Sequence, residues 1–421
     1  MNPIKRSKVI LCLTLAISAF GGLGTAGTGI ASAAGNVKIM LDGYSLPFPV
    51  QPTIVKGTTL VPFRAISEAL GVTVNWDEKS KSITAVKTAG DDTKKVTLTL
   101  GSKSASVNGQ KTAIALAPQT IKGTTMIPLS FFSQQFGAAV KWDGPSSTVT
   151  IVSPREKLYT LAFYAINSFS ESALIPDFDA VGFGWSRIDA TGAFTTSGND
   201  FKWPKPAGEV TPESLVTDTS AAGTSPYLLV YSGDTKGELT KAVEDKAARE
   251  DAIKQMISTA IQNQFKGVLL DLEGLGLTGD AKAVQASYNN FVQEAADAAH
   301  AAGLKLSVAL PPLNGSYHGY DYKKLGELAD ELIIMAYAYT DEKLPQPVDK
   351  IDNAIKLALK SVTKDKLVLG VNLYSENENT VNAKIGLAKR YGLKGIALWR
   401  LGFGKQNVWN KINETIELKG N

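Results

Sequence analysis

The chain has 421 residues, 44% of them apolar, which is enough to fill more than one packed core. Its single cysteine is Cys12, so a chain shorn of its first segment has no disulfide and must hold together by packing. With Lys5, Arg6 and Lys8 set aside, 41 basic residues face 40 acidic ones with no long block of like charge, which argues against nucleic acid as a partner.

Those three cations open the chain, an apolar run follows from Val9 to about Phe20, and Ala31-Ser32-Ala33 offers a small-residue cleavage site. Residues 1–33 are therefore expected to be a signal peptide, which predicts a secreted or cell-envelope protein. The run is short for a spanning helix, and no later apolar run reaches about 18 residues. No membrane span is expected after cleavage.

Residues 35–153 contain an internal duplication. KGTTLVPFRAISEALGVTVNWD, from Lys56 to Asp77, recurs as KGTTMIPLSFFSQQFGAAVKWD, from Lys122 to Asp143. The offset of 66 residues holds from Pro52/Pro118 to Val86/Val152. Each copy predicts a strand, a turn, a short amphipathic helix after Pro62 or Pro128, and a returning strand. This repeat resembles the copper amine oxidase N-terminal-like domain, or stalk domain, of secreted Gram-positive proteins, on its K-G-T-T-φ-φ-P and W-D elements (φ, apolar). The region has no His and no Cys, so copper ligation is not expected. A wall-binding module and a ligand-free spacer both fit. Trp76 and Trp142 are placed in the core, with sugar stacking as the alternative.

Residues 153–157 form a polar linker. Beyond it, in residues 157–421, eight apolar runs alternate with helical patterns: Leu158–Ile166, Phe178–Ser186, Tyr227–Ser232, Gly267–Leu272, Lys305–Leu310, Glu331–Tyr337, Leu367–Tyr374 and Gly395–Trp399. Before the fourth, Ile253, Met256, Ile257, Ala260 and Ile261 fall at helical spacing. After it, Val284, Tyr288, Phe291, Val292, Ala295 and Ala299 do the same, up to Gly303. The fold class expected is α/β, a (β/α)8 TIM barrel behind a duplicated α+β stalk domain. A doubly wound open sheet is the alternative, but Gly274-Leu275-Gly276 lacks the third glycine of a phosphate loop.

In such a barrel, function lies at the C-terminal strand ends. The fourth strand delivers Asp271 and Glu273, two residues apart and so on one face. Carboxylates this close push their pKa values apart, which suits acid/base chemistry, although acids at a helix start are also favourable without any function. Aromatic residues stand at other strand ends: Tyr164 on the first, Trp185 on the second, Tyr337 on the sixth, Tyr374 beside Asn372 on the seventh and Trp399 on the eighth. An acidic pair ringed by aromatic rings matches what a sugar ring needs.

FKGVLLDLE (Phe265–Glu273) resembles the D-x-x-D-x-D-x-E strand of glycoside hydrolase family 18, and MAYA (Met335–Ala338) resembles its M-x-Y-D strand. SVALPP, GVNLY and ALWRLG fall where that family has its fifth, seventh and eighth strands. W-x-x-I-D-x-x-G after strand two is closest to the chitinase-like branch found with cell-wall and spore-cortex modules. The resemblance spans about residues 158–418. It implies a substrate-assisted retaining glycosidase that needs no metal and no cofactor. Glu273 would be the general acid, Asp271 the residue orienting the 2-acetamido group, Tyr337 the donor to its carbonyl, and Trp399 the floor. Trp185, Tyr374, Tyr164 and Asn372 would bind substrate. The implied partner is an N-acetylglucosamine polysaccharide, in peptidoglycan, spore cortex or chitin, acted on by a single chain at the bacterial cell wall.

The sequence departs from that pattern at Lys266, Leu269 and Ala338, where the family carries acids. Two other readings therefore stay open. One is a non-catalytic carbohydrate-binding protein. The other is a barrel hydrolase with a second protein carboxylate from Asp234, Glu376 or Glu378. His318, on a loop after the fifth strand, and His300, late in a helix, are expected to be ordinary surface residues.

Overall fold

The computed structural model describes residues 37–420 apart from 90, 91, 338 and 340. The expected signal peptide, with Cys12, and the departure at Ala338 lie outside the described residues. Among the described residues no helix is long and apolar enough to cross a membrane.

Each repeat copy starts with a tight hairpin. Lys38–Leu41 turns through Asp42-Gly43 into Tyr44–Ser45, and Ser104–Val107 turns through Asn108-Gly109 into Gln110–Ala113. The turn residues have φ of +51 and +86 in one copy and +47 and +85 in the other, the left-handed pair that Asp-Gly and Asn-Gly adopt most easily. The hairpins also lie 66 residues apart, so the duplication begins earlier than Pro52/Pro118. Helices Phe63–Ala69 and Leu129–Gln135 follow Pro62 and Pro128 directly and bury Ile66 and Phe132. The proline fixes φ for entry into the helix and leaves no N–H to satisfy.

The copies meet through the same strand. Thr58–Pro62 pairs antiparallel with Thr124–Pro128, and Val61 faces its own equivalent Ile127. A pseudo-two-fold axis passes between them. The first hairpin crosses over, with Lys38–Leu41 pairing in parallel with the closing strand Thr148–Val152 of the second copy. Trp76 packs against the repeat's core as expected, whereas Trp142 is not a core residue. Trp142 is 45% exposed and Trp76 half-buried, because their strands lie at sheet edges, where one flank has no neighbour.

The remaining strands close into a parallel barrel: β1 Tyr159–Tyr164, β2 Ala180–Ile188, β3 Ser225–Ser232, β4 Gly267–Leu272, β5 Lys305–Leu310, β6 Glu331–Ile334, β7 Leu367–Asn372 and β8 Gly395–Trp399. Each pairs in parallel with its neighbours, and β8 pairs with β1 to complete the ring. β6 stops three residues before the predicted Tyr337 and β7 two before Tyr374.

Side chains alternate between two apolar layers, as a pleated strand requires. Leu161, Phe163, Leu229, Leu269 and Ile333 fill the lumen. Ala162, Val181, Leu228, Leu270 and Leu332 face the helices. The helix Lys246–Gln262 buries Ile253, Met256, Ile257 and Ala260, whereas Ile261, expected on the same face, is exposed. The helix Ala281–Ala301 is capped by Asp280, whose carboxylate accepts from the amides of Lys282 and Ala283. At the lower end of the lumen, buried Glu331 accepts from Tyr159 at 3.1 Å and Ser307 at 2.6 Å and is paired with Lys394.

Repeat and barrel belong to one compact unit. Their joint runs along the helix Val381–Tyr391. Asp42 accepts from the Ser153 amide at 2.8 Å and its hydroxyl at 2.7 Å, and packs against Gly386, where a Cβ would come within 2.7 Å. Lys389 donates to the carbonyls of Pro154 and Thr415, and the Arg390 guanidinium lies 5.7 Å from the Tyr44 ring centre. Glu156–Lys157 then pairs with Ile416–Glu417 and leads the chain into the lower end of β1.

Candidate active site

Alternation along β4 builds the centre of the site. Val268, Leu270 and Leu272 pack outward, Leu269 points into the lumen, and Asp271 and Glu273 line the cleft at its upper end. Glu273 lies just past the strand, with its amide donating to the Ser232 carbonyl at 2.7 Å. The buried Tyr320 hydroxyl clasps both flanks of Glu273. It donates to the Leu272 carbonyl at 2.8 Å and accepts from the Leu275 amide at 3.3 Å.

Asp271 is 2% exposed, and its Oδ1 receives no hydrogen bond from any N–H or O–H among the described residues. Burial pushes this carboxyl well above the usual carboxylate range, and the neighbouring Glu273 adds to the shift by its charge and by a hydrogen bond between the two carboxyls. Burial raises Glu273 as well, with Glu342 contributing, while the hydrogen bond from Asp271 opposes the rise. The pair thus retains a proton at a pH where free carboxylates are ionised.

The cleft over this pair holds about 570 Å³. Tyr337, beyond the end of β6, enters it where Gly370 of β7 leaves room: a Cβ there would lie 2.9 Å from Tyr337 Cε1. Burial and the acids Asp271 and Glu273 hold the Tyr337 hydroxyl firmly protonated. Trp399 ends β8 with its edge against Phe163, ring centres 5.1 Å apart. Asn372, opposite Trp399 in the β7–β8 register, also lines the cleft, and its Oδ1 accepts from the Tyr374 amide at 3.0 Å.

Asp271, Glu273, Tyr337, Trp399 and Asn372 therefore converge on one cleft. Tyr164, Trp185 and Tyr374 are placed elsewhere. Tyr164 and Trp185 belong to the strand–helix layer, since Phe163 and Gly184, their neighbours in the pleat, take the inward positions. Both rings border a separate cavity of about 330 Å³, which shares Ile166 and Phe201 with the cleft. Tyr374 is half exposed and packs on Phe403, ring centres 4.9 Å apart.

Sequence reasoning missed Tyr231, Phe201, Asn314, Tyr339 and Glu342, all of which line the cleft. Tyr231 was within reach, because in YLLVYS it alternates with Tyr227 and Leu229 on the inward face. Its hydroxyl is pushed up to about 12 by burial and by Glu273 and Asp271. Phe201 comes from an irregular segment without periodicity. Its ring stacks on Tyr231 at 4.1 Å and 14°, and lies nearly parallel to Trp399 at 6.5 Å.

The alternative acids do not reach the cleft. Asp234 accepts from the Thr240 amide and hydroxyl, Glu376 is paired with Lys384 at 2.8 Å, and Glu378 accepts from Asn407. His318 is on an exposed loop outside the cleft, and His300 pairs with Asp330 at 3.1 Å. Among the described residues no group of three or more His, Cys, Asp or Glu is arranged to hold a metal ion.

Residues 227–386 match the family model for glycosyl hydrolases family 18, and residues 40–151 match that for the copper amine oxidase N-terminal domain. The cortical fragment-lytic enzyme of Bacillus subtilis (strain 168) is 27% identical over 240 residues, covering 41% of this chain and 54% of that protein. The chain thus spans just over half the length of that relative. A chitinase from Chromobacterium violaceum ATCC 12472 superimposes with a TM-score of 0.51 at 21% identity, over 61% of this chain and 98% of the other. The Bacillus cereus spore cortex-lytic enzyme SleL gives 0.51 at 16%, over 64% and 77%. These two likenesses establish the shared fold.

Proposed function

We propose that this chain, which carries a family 18 glycosyl hydrolase domain behind a copper amine oxidase N-terminal domain, is a secreted glycosidase cutting β-1,4 bonds next to N-acetylglucosamine in cell-wall or cortex glycan. The observation that carries this reading is the Asp271–Glu273 pair, set side by side at the end of β4 with both carboxyls pushed above the usual range, and open to a cleft of sugar-binding size. A carboxylic acid still protonated near neutrality can donate to a leaving glycosidic oxygen.

In this scheme Glu273 protonates the glycosidic oxygen as the bond to the anomeric carbon breaks. The carbonyl oxygen of the sugar's own 2-acetamido group forms the new bond to that carbon, giving a cyclic oxazolinium ion. Asp271 accepts the acetamido N–H, which supplies its buried Oδ1 with a donor. The Tyr337 hydroxyl donates to the acetamido carbonyl, and Trp399 supports the sugar face. Glu273, now ionised, takes a proton from water as the water opens the ring, which restores the acid and retains the anomeric configuration.

One observation favours a binding protein instead. Leu269 fills the lumen beneath Asp271 and is fully buried, so no inner carboxylate assists the pair. The test compares the mature protein with Glu273→Gln on peptidoglycan, cortex fragments and chitin oligosaccharides, with soluble products read by mass spectrometry. New reducing ends at N-acetylglucosamine, falling by about 10²–10⁴ in the variant, are expected. Retained glycan binding with no product from either protein would establish the binding reading.

A further inference from the structure

We infer that the cavity beside the catalytic cleft, on its β1–β2 side, recognises an acidic substituent on the sugar next to the one being cleaved, namely the free lactyl carboxylate of a muramic acid that carries no peptide. The inference rests on the glycosidase reading and narrows its substrate to a chain in which N-acetylglucosamine alternates with muramic acid.

Three observations carry it. The cavity, of about 330 Å³, adjoins the acid cleft, with Ile166 and Phe201 as the ridge between them. A glycan seated over Asp271 and Glu273 reaches it by crossing that ridge, whose Ile166 is open to solvent. Its volume suits a substituent with part of a sugar ring, at the low end of small-ligand pockets. Next, large apolar side chains are left in water around it: Ile166 is 57% exposed, Phe169 45% and Val210 38%. Apolar side chains gathered on the rim of one cavity mark a contact surface, and the methyl of a lactyl group is an apolar partner of matching size.

The third observation is charge. Lys202 and Lys205 line the cavity, and neither has an ion-pair partner among the described residues. The one acid in its wall, Asp200, is already paired with Arg187. Two cations are thus left without counter-charge. The neighbouring cleft has the opposite balance, with Asp271, Glu273 and Glu342 against Lys350. An uncharged homopolymer such as chitin gains nothing from the lysines. A polymer that presents a carboxylate one sugar away from the cut gains attraction there and avoids the acids at the cleft.

The test uses the full chain with Glu273→Gln, so that ligands are not consumed, and titration calorimetry with two probes. One is chitotetraose. The other is an alternating N-acetylglucosamine–muramic acid tetrasaccharide with a free lactyl carboxylate. At low salt the muramic ligand is expected to bind about tenfold more tightly, and 0.5 M salt to erase most of that ratio. Adding Lys202→Gln and Lys205→Gln is expected to bring the ratio near one, with the melting temperature reporting that the fold is intact. Equal affinities at the outset, or a preference that survives the lysine changes, would overturn the inference. Turnover of both glycans by the protein with Glu273 intact is measured alongside. Absence of turnover defeats the glycosidase reading, whereas the affinity ratio decides the lysine site separately.

Discussion

Burial makes Asp271 and Glu273 release their protons less readily than they would in water, and this has a thermodynamic price. Both carboxyls titrate above their ordinary values when folded, so the native state binds more protons than the unfolded state as pH rises past about 4. Stability contributed by these groups is complete below that point and is lost as pH rises through the folded values. The double variant Asp271→Asn, Glu273→Gln removes both titrations. Its melting temperature is expected to exceed that of the parent at pH 7–8, with the gap closing towards pH 4. Melting curves at several pH values check this, and a gap that widens on acidification would refute it. Residue types and strand-end positions made Asp271, Glu273, Tyr337, Trp399 and Asn372 legible from sequence. Tyr164 and Trp185 stand beside the acid cleft and not in it, because one step along a pleat turns a side chain from the mouth to the helices.

At the scale of elements, the strands were readable because each is an apolar run between helical patterns. Their inner faces were marked by glycines whose meaning emerged only in three dimensions. Gly370 on β7 is an example. A Cβ there would lie 2.9 Å from both Tyr337 Cε1 and the Ile334 carbonyl oxygen. Gly370→Ala is therefore expected to cost about 1–3 kcal/mol in stability and to displace the Tyr337 ring. Activity should fall at least tenfold, mostly in kcat, since the tyrosine acts on the reacting acetamido group. Steady-state kinetics beside denaturant unfolding test this, and unchanged kcat would show that Tyr337 takes no part. The irregular segment that brings Phe201 onto Tyr231 and Trp399 had no legible signature, because its position is fixed by ring stacking and not by any repeating pattern.

Across the whole molecule, the duplication and the barrel were both legible, yet the joint between them was not. A polar linker suggests a loose tether, whereas Asp42, Ser153, Lys389 and Arg390 fasten the repeat to the helix Val381–Tyr391. These contacts join residues over a hundred positions apart, a separation at which local sequence patterns say nothing. Parent protein is expected to melt in one calorimetric transition. Asp42→Ala leaves the buried Ser153 hydrogen bonds unmade and should lower stability by about 1–3 kcal/mol, separating repeat and barrel into two transitions. Two transitions already present in the parent would show the joint to be weak.

The Val61–Ile127 contact also fixes a matter of parity. The two copies pair through equivalent strands about a pseudo-two-fold axis, as the halves of an isologous dimer do, whereas head-to-tail repeats leave an open end for the next. A third copy would find that strand already taken. What the sequence displays as a tandem repeat is, as an object, a pair of halves joined like a dimer on a single chain.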